Sequence, residues 1–78
     1  MYIYQFKLVC RCQNDLTVNI YDVEIQSQEM IEVEEFNKFQ DKIYDDALFQ
    51  EDVFELLKEL YQNVQIVGYH NGVKVLTK

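Results

Sequence analysis

The sequence predicts a single acidic α+β domain over residues 1–78, a four-stranded antiparallel sheet from two hairpins with two central helices packed on one face (ββααββ). Three observations predict it. Apolar residues alternate with period two at both ends of the chain, as half-buried strands require. In the middle they recur three and four apart, as in an amphipathic helix. Near the C terminus an Asn71-Gly72 pair separates two β-rich runs, and a two-residue hairpin turn needs positive φ at both positions.

Residues 1–12 read as the first strand. Tyr2, Tyr4, Phe6, Leu8, Cys10 and Cys12 share one face, and Ile3 and Val9 lie on the other. Gln13-Asn14-Asp15 supplies turn chemistry. Residues 17–25 read as the second strand, pairing with the first. Val18 and Ile20 are out of phase with Tyr21, Val23 and Ile25, and the expected cause is a β-bulge near Ile20-Tyr21.

From about Glu32 the spacing of Phe36, Phe39, Ile43 and Ala47 predicts a helix, with Glu32, Glu34 and Glu35 at its dipole-favoured start. A second helix is expected over about 50–62, with Val53, Leu56, Leu57 and Leu60 as its apolar stripe. The break is expected near Asp45-Asp46 with Asp46 as cap, the alternative being one longer, bent helix. Residues 64–70 and 73–78 form the closing hairpin, which carries apolar side chains on both faces.

Composition narrows the function classes. The chain has 78 residues, eleven of them aromatic (six Tyr, five Phe), with no proline and two glycines, which excludes disordered, collagen-like and linker-like readings. No basic-then-apolar leader opens the sequence, and no long apolar run follows, so the expectation is a cytoplasmic protein (host cytoplasm for a phage-encoded one). Fourteen acids against seven bases give a net charge of −7, which argues against direct nucleic-acid binding and against anionic membranes.

The candidates for chemistry are few. Cys10, Cys12 and His70 fall short of the four ligands of a structural zinc site, and His70 has no nucleophile beside it. Asp41, Asp45, Asp46, Glu51 and Asp52 lack the glycine and the ligand spacing of a calcium loop. No phosphate-binding, zinc-protease or nucleophile-elbow motif occurs. The expectation is a non-enzyme without cofactor or metal.

The acids are concentrated. Residues 22–59 hold thirteen of them with three lysines, a block of −10, and the remainder carries +3. On the expected helices Glu34, Asp41 and Asp45 lie opposite one apolar stripe, and Glu51, Glu55 and Glu59 opposite the other. Such a surface suits a basic protein partner, since opposite charges steer association. In size, acidity and lack of catalytic residues the chain resembles the small acidic proteins that phages encode against host defences, such as anti-CRISPR proteins and DNA mimics. That resemblance implies an inhibitor that occupies a nucleic-acid-binding site on its partner. The charge pattern on the expected helices, and not the resemblance, singles out Glu34, Asp41, Asp45, Glu51, Glu55 and Glu59 as the residues that meet it. The alternative is a self-associating assembly module, a homodimer through the sheet face or an edge strand, with the acids serving solubility.

Overall fold

The computed structural model describes residues 1–11 and 18–78. The Gln13–Asp15 turn, Cys12 and the first residue of the expected second strand lie outside the described residues. The elements are β1 (Tyr2–Arg11), β2 (Val18–Ser27), α1 (Val33–Ile43), α2 (Gln50–Leu60), β3 (Asn63–His70) and β4 (Val73–Thr77). The strands form one antiparallel sheet in chain order, β1-β2-β3-β4. Asn71 at φ 52° and Gly72 at φ 81° turn the last hairpin, as the Asn-Gly pair requires.

The expected bulge is absent. The β1–β2 ladder runs unbroken from Tyr2 opposite Ser27 to Arg11 opposite Val18. Tyr21, Val23 and Ile25 are buried on the helix side, whereas Val18 and Ile20 stand exposed on the outer face, 52% and 57% accessible. The two apolar sets belong to two faces of a regular strand.

Both helices lie on one face of the sheet, α1 over β1 and α2 over β3 and β4. Phe36, Phe39 and Ile43 of α1 and Val53 and Leu57 of α2 close over Leu8, Cys10, Tyr21, Val23, Ile25, Val64 and Ile66 in one core. Phe36 stacks on Phe6, with centroids 4.4 Å apart, and meets Tyr4 and Tyr61 at 5.3 and 5.8 Å. Offset and tilted rings of this kind add about 0.5–1.5 kcal/mol per pair beyond area burial.

The break spans residues 44–49, around the expected Asp45-Asp46, and separates two helices, not one bent helix; three details around it differ from the expectation. First, α1 ends at Ile43, so Ala47 is not part of it: Ala47 makes a parallel bridge to Arg11 on the free edge of β1. Second, Asp46 caps nothing; Phe49 begins α2, and the Asp52 carboxylate accepts from the Phe49 N–H at 3.0 Å. Third, Leu60 is not in the stripe. It is 62% exposed, and the first stripe position belongs to buried Gln50. Tyr61, turning back onto Phe36, fills the place that Leu60 leaves.

Two glutamines tie the layers. Gln40 of α1 bonds the main chain of Val9 through both ends of its amide. Gln50 Nε2 donates to the Val75 carbonyl and to Thr77 Oγ1, each at 3.0 Å. Val9 therefore directs its N–H and C=O away from β2. By antiparallel alternation Ile3, Gln5, Lys7 and Arg11 do the same along that edge. The 44–49 segment and Gln40 thus close one half of an edge that otherwise invites another strand.

Candidate functional site

All six sequence-predicted acids are exposed. In α2, Glu51, Glu55 and Glu59 lie opposite Gln50, Val53 and Leu57. They stack one turn apart, about 6 Å along the axis. In α1, Glu34 and Asp41 lie opposite Phe36, Phe39 and Ile43, with Lys38 between them. Both rows therefore face away from the sheet. Asp45 falls just past α1, where its carboxylate stands 3.7 Å from the Arg11 guanidinium.

Lys38 and Lys42 sit on α1 among the acids but form no ion pair there among the described residues. Among the described residues the ion pairs are Arg11–Asp45 and Lys7–Asp22, the latter at 2.6 Å. Lys58 spends its ammonium on the Gln62 carbonyl at the end of α2 instead of on Glu55. The pairing register places Lys7, Arg11 and Lys74 on the outer face of the sheet, across the core from the helices. A sheet-plus-helix separation is about 10 Å, comparable with the Debye length at physiological salt, so the strand bases screen the helical carboxylates weakly. The result is a negative helical layer with Lys7 and Lys74 on the opposite side and Arg11 at the β1 edge beside Asp45.

The chemistry of this surface is that of fixed charge. Among the described residues no three His, Cys, Asp or Glu side chains gather as metal ligands. Cys10 is fully buried on β1 and His70 is exposed on β3, with β2 between the two strands. No helix among the described residues is long and apolar enough to cross a membrane.

One titratable group outside the acidic rows departs from its ordinary behaviour. Tyr61 donates to Glu35 Oε2 at 3.1 Å. Burial first, then that hydrogen bond and the charge of Glu35, push the Tyr61 phenol from 10.0 up to about 12. This bond joins the end of α2 to the start of α1.

Sequence reasoning missed a groove at this end of the molecule. Its volume is about 550 Å³, and its lining includes Met1, Met30, Glu29, Glu35, Leu60 and Tyr61. The residues come from three distant stretches of chain, so no local pattern marks them. The only signal was a pair of bulky apolar residues, Met30 and Leu60, each directly after a glutamate.

Comparison with protein-family models, curated proteins and solved structures finds no match for this chain.

Proposed function

We propose that this chain is a non-enzymatic inhibitor that binds a partner protein by presenting its acidic helical surface to a basic, nucleic-acid-binding site, in the manner of anti-CRISPR proteins and DNA mimics. The observation that carries the reading is the row Glu51, Glu55 and Glu59. All three carboxylates are exposed, and none has an ion pair among the described residues. Repulsion along the row weakens the helix by a few tenths of a kcal/mol per pair. Repeated charge on a rigid helix also resembles a phosphate backbone in sign and in regular spacing. The charge of such a row steers a cationic cleft toward it, which raises the association rate.

The test is parallel capture with the tagged protein and with its Glu51→Lys, Glu55→Lys, Glu59→Lys variant, from the native or infected host. The reading predicts a nucleic-acid-binding protein recovered by the first and lost from the second. Recovery of the same proteins by both contradicts it.

One observation favours a second reading, self-association through the sheet. The outer face is uncovered and carries Val18, Ile20, Tyr69 and Leu76, all exposed. This reading predicts a dimer whose affinity ignores salt, and a monomer by light scattering removes it.

A further inference from the structure

We infer that the groove at the open end of the two helices receives an apolar side chain of the partner, one flanked by lysines or arginines. The inference rests on the acidic-surface reading and specifies what the basic partner presents there. Three observations lead to it.

The first is exposure. Met1, Met30 and Leu60 line the groove and are 71%, 69% and 62% accessible. Bulky apolar side chains gathered and left in water mark a binding surface, and methionine adapts its shape to an incoming side chain.

The second is charge. The lining side chains include the carboxylates Glu29 and Glu35 and no lysine or arginine, set against the single positive charge of the Met1 α-amino group. Glu34 and Glu59, the next residues to Glu35 and Leu60, continue the same charge onto the outward helical rows. Exposed methionine and leucine side chains beside carboxylates, in a lining otherwise rich in amides, complement an amphipathic basic segment.

The third is that the walls are already built. Ser27 Oγ accepts from the Glu29 N–H at 3.1 Å and donates to the Glu29 carbonyl at 2.8 Å. Just beyond Met30, the Ile31 N–H donates to the Tyr4 hydroxyl at 2.7 Å. The segment bearing Met30 is thus pinned on both sides, and Tyr61–Glu35 fixes the opposite wall. A site ordered beforehand loses less entropy on binding.

The experiment uses two synthetic basic helices of equal charge. One carries leucines three and four apart among lysines, and the other has serines in their place. The chain's two methionines, Met1 and Met30, both line the groove, so carbon-13-labelled methionine methyls report on it directly. The expected result is that the Lys/Leu helix shifts both methyl signals and binds about tenfold tighter than the Lys/Ser helix. Combining Met30→Gln with Leu60→Gln, both at exposed positions, should abolish that advantage and leave Lys/Ser binding unchanged. Equal affinity for the two helices with unmoved methyl signals overturns the groove inference and leaves the acidic surface standing. So does a leucine advantage that survives the double glutamine variant. Failure of the full chain to bind either helix overturns both.

Discussion

The Gln40 side chain pairs with the Val9 main chain as a neighbouring strand would: Nε2 donates to the carbonyl and Oε1 accepts from the N–H, each at 2.7 Å. Replacing it by leucine leaves two main-chain groups without their protein partner. Gln40→Leu should destabilise the fold by about 1–3 kcal/mol in urea unfolding. It should also speed aggregation at high concentration, because the β1 edge is reopened. Gln40→Glu keeps an acceptor but loses the donor, and should bring its carboxylate against the Val9 carbonyl.

Gly68 is required for close approach and not for its φ. A methyl group there would lie 2.4 Å from Gln50 Oε1 and within 2.9 Å of the Tyr21 ring. Both neighbours are buried, and Gln50 is held by two hydrogen bonds, so neither yields easily. Gly68→Ala should cost about 1–3 kcal/mol. In a Gln50→Ala background the same change should cost less, and a double-mutant cycle reads the difference.

Tyr61 sets an alkaline limit. Its folded pKa lies above its ordinary value, so the fold favours the neutral phenol. The stability this contributes is complete below pH 10 and is lost as pH rises from there to about 12. Tyr61→Phe should be less stable than the parent at neutral pH, through loss of the bond to Glu35. The gap should narrow across that alkaline window, as followed by urea midpoints at each pH.

The α2 row predicts a gain from removing charge. Glu55 stands between Glu51 and Glu59 at i−4 and i+4. Glu55→Gln should raise stability by a few tenths of a kcal/mol for each relieved pair. If the acidic surface is the binding surface, the same variant should bind its partner more weakly.

The strands and the Asn71-Gly72 hairpin were legible because period-two alternation and a positive-φ pair are local properties. The supposed bulge arose from treating Val18 and Ile20 as core residues when they are outer-face ones. An apolar side chain does not announce which side of a two-sided sheet it occupies. The helix break fell around Asp45-Asp46 as expected, but Ala47 was read into α1 because its bridge to the edge of β1 is a contact set by tertiary structure. Gln40 and Gln50 carried a readable signal: each is a long amide on the apolar stripe of a helix, where a buried polar group needs partners. The exposure of Glu34, Asp41, Glu51, Glu55 and Glu59 followed from helical period alone, whereas Asp45 lies past the end of α1. The separation of the strand bases from them needed the register of the whole sheet.

The most direct measurement is the affinity of the captured partner at rising salt, for the parent and for the Glu51→Lys, Glu55→Lys, Glu59→Lys variant, with duplex DNA as competitor. The account predicts that parent binding weakens steeply with salt and is displaced by DNA, and that the variant binds poorly with little salt dependence. Equal affinities for the two proteins, unaffected by salt and DNA, would contradict it.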